Sequence, residues 1–165
     1  MKFSIGVEYA LHCLLYVINV PEGKAVGIKD LAAYQGVSET YLSKVFAKLK
    51  KAEIVKSTPG VNGGYELLRD PENISFWNVI EAIEGTDPMF QCAEIRQNEI
   101  LLDKNNLPDT HTKCPCLIKV VMLEAEEQMK KYLEQKTLKW LSDQVEQKIP
   151  LEHAKATIDW FNKTP

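Results

Sequence analysis

The stretch from Ile28 to Leu67, IKDLAAYQGVSETYLSKVFAKLKKAEIVKSTPGVNGGYEL, decides how the chain is read. Ile28, Leu31, Ala32 and Ala33 share one side of a short helix, Gly36 supplies a turn, and Ser38 is a good N-cap for a second helix. In that helix Tyr41, Leu42, Val45, Phe46 and Leu49 recur at i, i+3, i+4 spacing and predict one buried stripe. Thr40, Ser43, Lys44, Lys48 and Lys51 take the other face. The period then changes: Ile54 to Ser57 reads as a short strand, Pro59 to Gly64 as a glycine-rich turn, and Tyr65 to Leu68 as the return strand. Helix, turn, helix and hairpin in succession predict a mainly α fold, a winged helix-turn-helix with a small β-hairpin wing. A helical hairpin with a charged surface is the competing reading, and it leaves the β-hairpin unexplained.

Such a fold presents the N-terminal turn of its second helix to the major groove of duplex DNA, where hydroxyls and ammonium groups meet phosphates and base edges. Ser38, Thr40, Tyr41, Ser43 and Lys44 are the candidate contacts there. Lys48, Lys51 and Lys56 are either phosphate partners or solvated charges. In the wing, Gly60 and Gly63 allow close backbone approach and Asn62 offers a polar side chain.

The net charge of −3 gives no general argument for nucleic acid, but its distribution does. From Ser38 to Arg69 six basic residues (Lys44, Lys48, Lys50, Lys51, Lys56, Arg69) face three acidic ones, whereas from Asp70 to Glu99 Arg96 stands against seven acidic residues. Positive potential therefore concentrates on the helix and wing.

Tyr9 to Val20 is apolar, but Glu8 and His12 interrupt the pattern and no clean cleavage site follows, so it reads as an amphipathic first helix rather than a secretory signal. No membrane span is expected, and the chain is read as cytoplasmic. Asn73-Ile74-Ser75 then carries no meaning as a glycosylation triplet. Four cysteines in such a chain suggest metal binding, redox activity or burial more than structural disulfides.

Beyond the wing, Ser75 caps a helix from Phe76 to Glu84, which Gly85 ends. Residues 86 to 115 read as a long irregular segment, of a length that is usually functional or disordered. From Cys116 to about Gln135 runs a long helix with Ile118, Val121, Met122, Ala125, Met129, Tyr132 and Leu133 as its stripe. A domain of 165 residues has no need of so long an amphipathic helix for its own core. Pairing with a second copy is the natural use, and a homodimer would set two recognition helices about one DNA turn apart, on an imperfect palindrome. Thr137 to Lys148 and Leu151 to Asn162 read as two further helices. The division expected is 1–70 for the winged helix-turn-helix, 71–115 for a connecting helix and sensor loop, and 116–165 for the dimerisation and C-terminal helices.

Lys2-Phe3-Ser4, Tyr9-Ala10-Leu11, Gly36 to Leu42, Gly63-Gly64-Tyr65 and Val79-Ile80-Glu81-Ala82-Ile83-Glu84-Gly85 together resemble the Rrf-two (Rrf2) family of bacterial winged-helix transcription regulators, over about residues 2 to 135. The resemblance implies a homodimer with crossed long helices and, in many members, an iron-sulfur cluster in the loop before that helix. The short, regular spacing of three cysteines found in many cluster-binding members is broken here, because Asn98 and Lys104 follow Cys92. Cys114-Pro115-Cys116 and the run Met122 to Glu126 are instead similar to a redox-responsive branch. Its [2Fe-2S] cluster is held by a Glu and a His from the first helix of one subunit and two cysteines of the other. Glu8, His12, Cys114 and Cys116 occupy the matching places, with Cys92 or His111 as a substitute ligand. The resemblance also implies DNA contacts at Thr40, Tyr41, Ser43 and Lys44. Where some members carry a wing arginine this chain has Pro59, so minor-groove reading is expected to weaken or pass to Asn62.

Residue chemistry supports the ligand set independently. Glu8 and His12 are i, i+4 on a helix and point the same way, which suits a metal centre or a surface hydrogen bond. Two thiols just before a helix are favoured as thiolates by its N-terminal amides. Cys13 lies about 100° round the helix from His12 and reads as core. Two alternatives stand beside the cluster: a cluster-free thiol regulator pairing Cys92 with Cys114 or Cys116, and a small thiol-disulfide redox enzyme, which lacks any thioredoxin-like pattern here. With no nucleophile triad and no phosphate loop, the chain is not expected to be an enzyme.

Overall fold

The computed structural model of the chain describes residues 3–20, 24–60 and 63–163. Its contacts separate residues 2–85 with 133–165 from residues 86–132. In the larger unit, α1 (Ile5–Ile18) buries Val7, Ala10, Cys13, Leu14 and Val17, the apolar ridge expected of a core helix. α2 (Ile28–Gln35) ends at Gly36, whose φ of +65° is left-handed and whose N–H reaches the Ala32 and Ala33 carbonyls. A side chain there would be strained by about 1 kcal/mol. Leu31 and Ala32 are the buried residues of α2, while Ala33 is exposed, one helical step beyond the covered face. α3 (Glu39–Lys51) starts at Ser38, whose Oγ accepts the Tyr41 N–H at 3.4 Å. It buries Leu42, Val45, Phe46 and Leu49, but Tyr41 is 37 % exposed, with its ring edge-on to Tyr9 at 5.6 Å.

The wing forms from β1 (Val55–Thr58) and β2 (Gly64–Leu67), antiparallel, with Lys56 opposite Glu66 and Ser57 opposite Tyr65. Both strands sit one residue away from the sequence expectation, since Leu68 pairs with Ile54 outside the ladder through its N–H at 3.0 Å. Val26, just before α2, exchanges both backbone hydrogen bonds with Tyr65 at 2.9 and 2.8 Å, tying the wing to the helix-turn-helix. A Cβ on Gly64 would lie 2.3 Å from the Val26 carbonyl oxygen, and one on Gly63 would lie 2.3 Å from that of Thr58. These glycines therefore serve the closure of the wing itself.

α4 (Phe76–Glu84) begins with a reciprocal cap: Ser75 Oγ accepts the Asn78 N–H at 3.1 Å and Asn78 Oδ1 accepts the Ser75 N–H at 2.9 Å. α4 packs against α1 and α3, and its buried Trp77, Val79, Ile80 and Ile83 complete the core with Phe46, Leu14, Leu42 and Leu49.

The smaller unit contains a 3-10 turn (Ile95–Asn98), a one-turn helix α5 (Asp109–Thr112), and most of α6 (Leu117–Glu134). The segment expected to be irregular thus has local structure. α6 has no buried residue, and its apolar side chains Leu117, Ile118 and Val121 are 78 %, 67 % and 62 % exposed.

The chain returns to the larger unit with α7 (Leu138–Glu146), capped by Thr137, and α8 (Leu151–Lys163). Leu138 is fully buried, and its N–H donates to the Ile74 carbonyl at 2.8 Å while the Phe76 N–H donates to that of Lys136 at 2.8 Å. α8 lays Phe161 against Tyr16 and Tyr34, at ring distances of 5.4 and 5.1 Å, and Thr157 shares a 2.7 Å hydrogen bond with the Tyr34 hydroxyl. α4, α7 and α8 thus pack with the winged helix. Among the described residues no helix is long and apolar enough to cross a membrane.

Candidate functional site

The DNA-facing candidates separate into engaged and unengaged side chains. Ser38 spends its hydroxyl on the helix cap. Thr40 and Lys44 are exposed and make no hydrogen bond or ion pair to a described residue; Ser43 is half-buried beside them. Tyr41 keeps its hydroxyl end at the first turn of α1, where a Cβ on Gly6 would meet it at 3.2 Å. Lys48 is exposed, and its Nζ donates to the Ile83 carbonyl at the end of α4, at 2.6 Å. Lys50 donates to Ser57 at 2.7 Å, and Lys56 pairs with Glu66 across the hairpin at 3.3 Å. In the wing turn, Gly60 is exposed with φ +116°, and its carbonyl accepts the Gly63 N–H at 3.0 Å. Asn62 lies outside the described residues.

Glu8 and His12 are exposed on one face of α1. They line a groove of about 860 Å³ whose other walls are mostly apolar, including Ile5, Leu11, Phe76 and Leu141. Neither makes a hydrogen bond or ion pair to a described residue, so the carboxylate and the imidazole are available to something outside the chain. Cys13, about 100° round α1 from His12, has no exposure, and burial pushes its thiol up to about 12. It is core, as its position round the helix implies.

In the smaller unit Cys92 and Cys116 are half-buried. Cys116 stands just before α6, and its thiol is held below the usual thiol range, chiefly by the backbone N–H of Lys119, with that of Ile118 and the Cys92 thiol adding. This is the N-terminal amide effect expected for a cysteine at a helix start. Cys114 is exposed, and the part of it that is engaged is its carbonyl, which accepts from Arg96 Nη2 at 2.5 Å. The Cys92 thiol is thus among the groups that act on Cys116.

Arg96 organises the loop. It donates to the Glu94 carboxylate at 2.8 Å and to the Thr110 carbonyl at 2.8 Å as well as to Cys114. The Arg96 guanidinium holds the Glu94 carboxyl below the usual carboxylate range, with the Cys92 thiol and Lys119 adding. Gln97 donates to the His111 carbonyl at 2.7 Å, so the backbone rather than the ring of His111 is used, and the ring stands 4.0 Å from Glu99. Arg96 was visible in the sequence as the single base in an acidic stretch, yet a role in shaping the loop could not be read from charge alone. Among the described residues no three His, Cys, Asp or Glu side chains of one chain gather as a metal-holding group.

A capped recognition helix with unengaged polar residues and a hairpin wing define a winged-helix DNA-binding regulator. The chain belongs to the Rrf2 family: a family model described as an iron-dependent transcriptional regulator matches residues 3–144. Proteins of this family are DNA-binding transcription regulators and not enzymes. The Lactococcus lactis HTH-type regulator YffB is 38 % identical over 100 residues, 61 % of this chain and 64 % of that protein, so the chain spans just under two thirds of it. The HTH-type transcriptional regulator NsrR of Halalkalibacterium halodurans is 29 % identical over 139 residues, covering 84 % of this chain and 88 % of that protein. The solved structure of T. potens IscR superposes with a TM-score of 0.65 at 22 % identity, over 94 % of this chain and 96 % of that one. At that identity the likeness speaks for the fold.

Proposed function

We propose that the chain acts as a homodimer on an imperfectly palindromic operator, and that a [2Fe-2S] cluster shared between subunits sets its affinity. Glu8 and His12 of one protomer and two cysteine sulfurs of the other would hold the cluster. The observation that carries this reading is the Cys116 thiol, held below its usual range by the amides that start a helix whose apolar side is unburied in the single chain. A second copy would cover that side and bring its own cysteines.

The donor set suits such a group. Thiolate is the metal-binding form, and the amides at the start of α6 favour it at Cys116. Two sulfurs from one chain with one nitrogen and one oxygen from the other complete four ligands without needing three of them in one chain. When bound, the cluster supplies a one-electron centre whose imidazole ligand raises its potential above that of all-thiolate ligation. The residues of this chain do the rest. Glu8 and His12 are presented by a helix that packs directly on α3, so a change in what they hold biases the angle of the recognition helix. The lowered Cys116 thiol, with Cys92 acting on it, also suits a cluster-free thiol regulator, which would be colourless.

Anaerobic purification with an absorption spectrum and an iron and sulfide count tests the reading. Coloured protein with equal iron and sulfide is expected, and Glu8→Ala or His12→Ala should weaken both the visible absorption and the redox dependence of DNA affinity. Unchanged absorption and unchanged redox dependence in both variants would overturn the arrangement.

On the DNA side, Lys44→Ala is expected to lower affinity by about 1 to 3 kcal/mol, selectively by sequence if the ammonium reads a base. A uniform loss with a shallower salt slope would instead make Lys44 a phosphate contact.

A further inference from the structure

The carbonyls at a helix C-terminus have no partner within their own helix, and at the end of α4 two other helices take up the last turn. The Ile83 carbonyl accepts Lys48 Nζ of α3 at 2.6 Å. The next residue, Glu84, accepts from both the backbone N–H and the hydroxyl of Ser4, at 2.8 and 2.6 Å, and Ser4 is the residue from which α1 starts. Gly6 fills the gap between them so closely that a Cβ would lie 3.1 Å from Ile83 Cγ2 and 3.2 Å from the Tyr41 hydroxyl. One turn further along α1, Tyr9 packs edge-on to Tyr41.

Lys48 follows Thr40 and Lys44 at four-residue steps, and this is why its sequence position suggests the DNA face. Each step of four advances about 40° round a helix, so Lys48 lies about 80° from Thr40 and has turned toward α4. An ammonium at that place complements the negative end of the α4 dipole and satisfies a terminal carbonyl.

We infer that Lys48 is a positioning residue and not a DNA contact: through the Ile83 carbonyl it fixes the recognition helix to the turn of α4 that, through Glu84, also holds the start of the helix bearing Glu8 and His12. The inference rests on the reading that α1 carries sensor ligands. A displacement of the first turns of α1 then has two direct routes to α3, one through Glu84, Ile83 and Lys48, the other through Tyr9 and Tyr41. Both are contacts within packed helices, so the movement is passed on as a change of angle rather than absorbed.

The test uses the full-length protein and a duplex selected by the wild type from random-sequence DNA. Dissociation constants are measured across a salt series for the wild type, Lys48→Met, His12→Ala and the double variant. Lys48→Met is expected to weaken binding with the salt slope of the wild type, and to couple with His12→Ala by about threefold or more in affinity. Glu84→Ala, which leaves the charge of α3 untouched, is expected to couple with His12→Ala in the same way, and it keeps the idea falsifiable if Lys48→Met fails to fold. A merely structural role would lower the melting temperature without coupling. A slope shallower by about one phosphate contact in Lys48→Met, or strict additivity of both pairs, overturns the inference. If His12→Ala alone leaves affinity unchanged, the sensor reading fails, while the salt slope of Lys48→Met still decides whether Lys48 touches DNA.

Discussion

Replacing Ile118 and Val121 of α6 together with glutamate is expected to give a monomer and to weaken operator binding by at least about a hundredfold. Both side chains are exposed in the single chain, at 67 % and 62 %, on a helix of 18 residues that buries nothing. Covering a large aliphatic side chain contributes about 1.5 to 3 kcal/mol, and a two-fold interface counts each substitution twice. A carboxylate at either site would have to be desolvated or leave the interface open. Loss of the proposed dimer would convert a two-site attachment to DNA into single half-site binding, and this would be the source of the large effect on affinity. Light scattering on a sizing column reads the mass directly, and melting curves show that the winged-helix unit is still folded. A double variant that stays dimeric would mean that α6 is not the pairing element.

The second large effect separates the cysteines. Cys116→Ser and Cys92→Ser are each expected to strip iron and sulfide from anaerobically purified protein, whereas Cys114→Ser should retain both. Cys116 has backbone amides and a neighbouring thiol to stabilise its thiolate, and Cys92 is that neighbour. Cys114 is exposed, and Arg96 holds its carbonyl rather than its sulfur. Iron and sulfide counts with the visible spectrum measure the outcome. If Cys114→Ser were the variant that lost the chromophore while Cys92→Ser kept it, the Cys-Pro-Cys pairing implied by the resemblance would stand and the Cys92 pairing would fall.

Much of the fold was legible because it is written in short-range chemistry. Ser38 and Ser75 are caps, Gly36 is a left-handed helix end, and the buried stripes of α3 and α4 follow the helical period, each within a window of a few residues. The wing was found for the same reason, with strands displaced by a single residue. Tyr41 was harder: its spacing assigned it to the buried stripe and its place in the first turn assigned it to DNA. The structure uses it at the boundary, against Tyr9.

The candidate site was legible only in part. Residue type and spacing pick out Glu8 and His12 as a pair, since one helix carries both. They also pick out Cys114 and Cys116 as neighbours. The action of the Cys92 thiol on Cys116 crosses more than twenty residues, and no local rule could have selected it.

By itself the sequence determined the elements, their caps, the core faces and the concentration of positive charge on the helix-turn-helix, all set by periodicity and by residue chemistry along a few turns of chain. Only the tertiary structure decided that Val26 joins the wing, that α8 rests on Tyr16 and Tyr34, and that Lys48 holds the end of α4. Each of these is a contact between segments distant along the chain. Its existence depends on where packing brings them rather than on what either segment prefers alone.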